Sequence, residues 1–267
     1  MAVANARMYS VSPRVKHAWQ RLLRWVLDDA GLPWEVIAHD APEPLDALWA
    51  RGDLGLVMMC GLPCALRAAA PQVIAAPIPS PARYQGLARY CTDLVVRADA
   101  PFRCLEDTFG GVAAYTLADS MSGAVAFNAH LQAFRTPARR RLYARSVGNL
   151  VNARGVIDAL ARGDVDVGPL DSYCHDLLRQ DEPAYTAQVR TIATTRWAPI
   201  PPLVSTANLP PTVTDRLRAS LQRSVHHPDL APECELLLLA GFATPDSSEY
   251  DVLARFAHQP LPPIEEL

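Results

Sequence analysis

The chain has 267 residues, half of them hydrophobic, with 25 Lys and Arg set against 28 Asp and Glu for a formal net charge of −3. That length can bury a sizeable core, as one large domain or two modest ones, and the near-balanced charge gives no broad field to gather nucleic acid or an acidic membrane surface. No stretch approaches the roughly twenty apolar residues that cross a bilayer, so a chain not embedded in a membrane is expected.

Residues 3–9 are predicted as a first strand, after which Ser12-Pro13 supplies a helix cap and a favourable first helical residue. Val15, Ala18, Trp19, Leu22, Leu23, Val26 and Leu27 then recur at the spacing of one helical face, and Gly31 suits the left-handed position beyond the last turn. Residues 34–38 read as a strand, 44–50 as a short helix ended by Gly52, and 54–59 as a strand covered on both faces. A second alternation follows: strands at 94–97 and 112–115, a helix at 122–134, a strand at 142–147, a helix at 151–162 and a strand at 165–167. Alternation of this kind favours parallel strands joined by crossover helices. Residues 211–225, 231–239 and 248–257 give helical patterns with no strands between them, and are expected to cover the first unit.

Two segments carry candidate chemistry. Residues 114–123 form a strand, a polar turn and a helix start, which places the Ser120 and Ser122 hydroxyls beside unpaired amide donors, with Gly123 leaving room for close approach. That arrangement suits either an oxyanion or an ordinary capped helix. Residues 163–172 deliver Asp171 to the end of a strand, where it either meets a ligand or caps the next helix. Asp164 and Asp166 read as a solvated strand edge, with no carboxylate cluster to make a metal site. The seven histidines are dispersed, and Arg139-Arg140-Arg141 reads as a solvated turn. Cys60, Cys64, Cys91, Cys104, Cys174 and Cys234 fit no disulfide framework and read as mostly buried, reduced thiols. No nucleotide, metal or cofactor motif is present, so no cofactor is expected. Residues 1–12 lack the pattern of a secretory signal; as it stands the sequence suggests a cytoplasmic location, or a periplasmic one if a signal was removed.

The ordered segments 90–97, 105–110, 119–123 (Asp-Ser-Met-Ser-Gly), 161–172 and 198–204 together resemble the phosphate/phosphonate-type periplasmic solute-binding proteins. The resemblance implies the type II binding-protein fold: two α/β lobes, each a mixed, mostly parallel sheet flanked by helices, with ligand held between them. It assigns residues 1–90 and 197–267 to one lobe and 91–196 to the other. Carried over residue by residue, the ligand contacts are Ser120, Met121, Ser122, Gly123 and Asp171, with Tyr9, Cys60 and Gly61 from the first lobe. Tyr84 and Tyr90 precede the first crossing, and Tyr84, in a predicted loop, is expected to be the accessible one. Where phosphonate-binding members carry a Ser-His pair before a helix, this chain has Asn152 and Ala153, so Asn152 is the polar group there and a phosphate-contacting histidine is absent. The implied function is capture of a small anionic ligand (phosphate, phosphonate or carboxylate-like) by a monomer serving an ABC permease, or by a related non-exported sensor. The alternative is a cofactor-free enzyme of dehydratase type on the same fold, with Asp171 and Asn152 as its polar groups.

Overall fold

In the computed structural model, which describes residues 1–267 apart from the side chain of Ala257, the chain opens with β1 (Val3–Asn5). The predicted strand stops there because Arg7–Tyr9 closes into a tight turn. Helix α1 (Pro13–Asp29) follows; the Ser12 hydroxyl accepts the Val15 amide at 3.1 Å, and its apolar face from Val15 to Leu27 is buried. Gly31 takes the left-handed position beyond it, at φ 64°. Next come β2 (Glu35–Val36), α2 (Leu45–Trp49), β3 (Leu54–Met58), α3 (Gly61–Leu66), β4 (Gln72–Pro79) and β5 (Arg89–Tyr90). The middle of the chain forms β6 (Thr92–Arg97), β7 (Val112–Ala114), α4 (Ala126–Leu131), β8 (Arg145–Val147), α5 (Ala153–Arg162), β9 (Gly168–Asp171), α6 (Ser172–Asp181), α7 (Pro183–Thr186) and β10 (Val189–Thr194). The remainder is β11 (Ala198–Pro199), β12 (Leu203–Ser205), α8 (Pro211–Ser224), α9 (Ala231–Leu236), β13 (Leu239–Ala243) and α10 (Asp251–Ala257).

Two units result. The first, Met1–Arg89 with Pro199–Val252, holds a six-stranded sheet in the order β13-β4-β12-β3-β1-β2, with α8 and α9 packed on α1. The second, Tyr90–Ala198 with Leu253–Leu267, holds the sheet β10-β6-β9 and the pair β7-β8. The segments β5 and β11, where the chain passes from one unit to the other and back, pair as a two-stranded ladder.

Several expectations need correction. The sheets are mixed but not mostly parallel: β1 runs parallel to β2 and β3, and β7 to β8, whereas every pairing made by β12, β13 and β10 is antiparallel. Strands delivered by a returning chain rather than by a crossover helix can reverse direction in this way. A strand, β13, does separate the late helices; Gly241 sits at a shift in its register against β4, and the preceding helical pattern masks it. The strand β4 escapes a reading by pattern because Pro77 and Pro79 lie within it, on the stretch that faces β13. The strand expected at 165–167 begins at Gly168, and Asp166 is not a free edge residue, since its Oδ2 accepts the Val112 amide at 2.7 Å.

The last segment, assigned from the sequence to the first unit, belongs to the second. Ile264 and Leu267 are buried in the core cluster of Leu94, Phe127, Leu131 and Tyr143. The Tyr143 amide donates to the Leu267 carbonyl at 3.0 Å, and Asn128 Nδ2 donates to the Pro262 carbonyl at 2.8 Å. Burial of those two apolar side chains outweighs the helical pattern that suggested a cover for the first unit.

Candidate functional site

The serine turn is built by the exit from β7. Ser120 is extended (φ −74°, ψ 125°), and its Oγ accepts the Gly123 amide at 3.1 Å. Its carbonyl accepts from both Ala124 and Val125 at 3.0 Å, and Ala126 reaches back to the Met121 carbonyl, so the first turn is wider than an α-helical one. The Thr116 amide donates to the Gly123 carbonyl at 3.1 Å, and a Cβ added to Gly123 would collide with Thr116 Oγ1. The glycine therefore admits Thr116, where the sequence suggested that it admits a ligand. Among the described residues nothing accepts from the Met121 and Ser122 amides or pairs with the Ser122 hydroxyl, although Ser122 is only 7% exposed. Two amides and a hydroxyl left open at the positive end of a helix suit an anion.

A layer of buried hydroxyls supports this turn. Thr92 Oγ1 donates to the Ser122 carbonyl at 3.1 Å, the Thr92 amide donates to Thr195 Oγ1 at 2.9 Å, and the Thr195 amide returns to the Thr92 carbonyl at 3.0 Å. Thr92 also lies opposite Asp171 in the β6–β9 ladder. The structure thus gathers Ser120, Met121, Ser122, Gly123 and Asp171 around Thr92. Asp171 Oδ1 accepts the amides of Tyr173 and Cys174 at 2.9 and 3.0 Å and so caps α6. Sequence reading missed Thr92, Thr116 and Thr195, because no spacing links a hydroxyl in β6 to a turn thirty residues on.

Asn152 stands apart from this group. It is exposed, its Oδ1 caps α5 by accepting the Gly155 amide at 3.2 Å, and no hydrogen bond among the described residues joins it to the serine turn. The loop before it is strained: Asn149 and Val151 have φ of 58° and 66°, and that conformation is costly for a β-branched side chain. A further pair was also unforeseen. His175 Nδ1 lies 2.8 Å from Asp93 Oδ2, with both side chains fully buried between α6 and β6.

In the first unit, Tyr9 follows β1 and Cys60-Gly61 follows the adjacent parallel strand β3. Because β12 is antiparallel to both β3 and β4, the C-terminal end of β4, which leads to Tyr84, lies at this same edge. Ligands of open α/β sheets bind at such edges. Tyr84 is not the accessible residue expected: it and Tyr90 are 0% and 1% exposed, and the Arg83 guanidinium lies 5.2 Å over the Tyr84 ring. None of the six cysteines forms a disulfide; Cys104 is exposed, and Cys60, Cys64, Cys91 and Cys234 are buried. Burial, with Cys60 nearby, pushes the Cys64 thiol up to about 12. Among the described residues no cluster of His, Cys, Asp or Glu could hold a metal, and no helix is long and apolar enough to cross a membrane.

The family model for the periplasmic substrate-binding protein of phosphonate ABC transporters matches residues 9–250. Comparison with curated proteins found no match. Among solved structures, a binding-protein component of an ABC phosphonate transporter from Pseudomonas aeruginosa aligns with a TM-score of 0.78 at 16% identity, covering 96% of this chain and 85% of that one. A Prochlorococcus marinus protein in complex with methylphosphonate aligns at 0.78 and 14% identity, covering 97% of each chain. A Xanthomonas citri protein in its ATP-bound form aligns at 0.63 and 21% identity, covering 96% of this chain and 95% of that one. These likenesses show a shared type II periplasmic-binding-protein fold.

Proposed function

The chain belongs to the periplasmic substrate-binding proteins of phosphonate ABC transporters, and we propose that it captures a small oxyanion of the phosphate, phosphonate or carboxylate class at the serine turn of its second unit. Proteins of this family bind a small solute for a membrane permease and are not enzymes. The observation that carries the ligand class is the trio of open donors at one widened helix start: the Met121 amide, the Ser122 amide and the Ser122 hydroxyl. Methylphosphonate in the Prochlorococcus relative and chloride in a form of the Xanthomonas relative are both anions, which supports the same class here.

Binding proceeds without turnover in this reading, because among the described residues no base pairs with the Ser122 hydroxyl to activate it. Cys60 and Gly61 form a second ligand-facing edge on the first unit's sheet, beside the buried Tyr9 and Tyr84. Asp171, which caps α6 opposite Thr92, sets which polar substituents the ligand carries, whereas Asn152 caps α5 away from the turn. The protein acts as a monomer that delivers its solute to a permease. Calorimetry with methylphosphonate, phosphate and malonate tests this: Ser122→Ala should weaken the preferred anion roughly tenfold or more, as loss of a hydrogen bond to a charged group does. Equal affinity of the variant and the parent chain would reject the site.

A further inference from the structure

From residue 120 to residue 157 the chain carries six arginines and no carboxylate side chain, although the protein as a whole is acidic. Arg154 pairs with Glu182; Arg135, Arg139, Arg140, Arg141 and Arg145 have no carboxylate partner among the described residues. The turn that presents them is ordered by its own bonds. Thr136 and Arg139 exchange backbone hydrogen bonds at 3.2 and 3.0 Å, and the Arg139 guanidinium lies 4.8 Å over the Phe109 ring. Arg141 Nε donates to the Tyr143 carbonyl at 2.9 Å, and Arg135 donates twice to Asn128 Oδ1 at 3.0 Å. Arg140 and Arg145 project from this frame, exposed. Glu106 and Asp166 bear on the Tyr143 hydroxyl opposite Arg139, and the turn Ile264–Glu266, with Glu265 and Glu266 exposed, packs on β8. Asp166 is engaged by the Val112 amide and Glu265 by the Tyr115 hydroxyl, and the five arginines outnumber these four carboxylates.

We propose that this arginine turn docks the protein on an anionic phospholipid surface. Guanidinium groups take phosphate oxygens two at a time, and at physiological salt a patch within about 8 Å of a charged sheet acts while remote acidic groups are screened. The net charge of −3 therefore does not decide the matter; the local run does. A protein partner fits less well. The exposed large hydrophobic side chains are Met1, Leu66, Leu87, Val151 and Trp197, none of them within residues 135–145, and protein interfaces depend on buried aromatic or apolar anchors. A fluid headgroup layer needs only matching charge. This surface is separate from the serine turn and does not rest on the anion-binding reading.

Flotation of the full chain with vesicles of phosphatidylcholine alone, or of phosphatidylcholine mixed with phosphatidylglycerol, tests the proposal. The protein should float only with the anionic vesicles, and added salt should release it. Combined Arg140→Glu and Arg145→Glu should weaken flotation by about tenfold or more, given the gain each guanidinium makes near such a surface. Arg140→Lys with Arg145→Lys should retain most of it, and the thermal melt and solute affinity of both variants should match the parent. Absence of anionic-vesicle binding, equal binding to neutral vesicles, or full retention by the charge-reversed variant would overturn it. Capture on immobilised polyglutamate without capture on vesicles would also do so, in favour of an acidic protein face.

Discussion

Two helices in this protein begin with a serine cap, and they use it differently. At Ser12 the hydroxyl takes the Val15 amide, and Pro13 supplies no amide at the first helical position. At Ser120 the hydroxyl takes the Gly123 amide at the same 3.1 Å, but Met121 stands where the other helix has proline, and the turn is widened. Asp171 closes its helix more completely, one carboxylate oxygen taking two amides. A capping residue alone therefore does not mark a binding site. The proposed site differs in how many donors remain after the cap is made, and in the buried hydroxyls of Thr92 and Thr116 that hold its turn.

The largest effect should come from closing the wide turn. In Gly123→Ala the new methyl collides with Thr116 Oγ1; overpacking of this kind costs about 1–3 kcal/mol. A lowered melting temperature should accompany loss of measurable anion binding by calorimetry, and Thr116→Ser should leave the collision in place because it keeps the oxygen. Smaller, and opposite in kind, is the effect expected at the closed cap. Ser12→Ala should lower stability by about 1 kcal/mol in denaturant unfolding while leaving anion affinity unchanged. If it weakened binding as much as Ser122→Ala does, the distinction between the two helix starts would fail.

Much of this contrast was legible in the sequence. The Ser12-Pro13 start, the apolar face of α1 and the strand–turn–helix at Ser120 depend on local order, and local order is what residue patterns record. The widening of the serine turn was not legible, because it follows from Thr116 folding back onto Gly123. Nor was the meeting of Thr92, Ser122 and Asp171, which arises from ladder pairing between distant segments. Tyr84 was misjudged for a related reason: a loop by composition can still be buried by its neighbours. The tail went to the wrong unit because helical periodicity does not say which core receives Ile264 and Leu267.

The central claim is that the Met121 and Ser122 amides are open donors awaiting an anion, and amide resonances report on it directly. On titration of the nitrogen-15-labelled protein with methylphosphonate, the Met121 and Ser122 amide protons should move downfield together and saturate, while the Val15 amide under its Ser12 cap stays in place. Saturable binding by calorimetry with no movement of either amide would contradict the account.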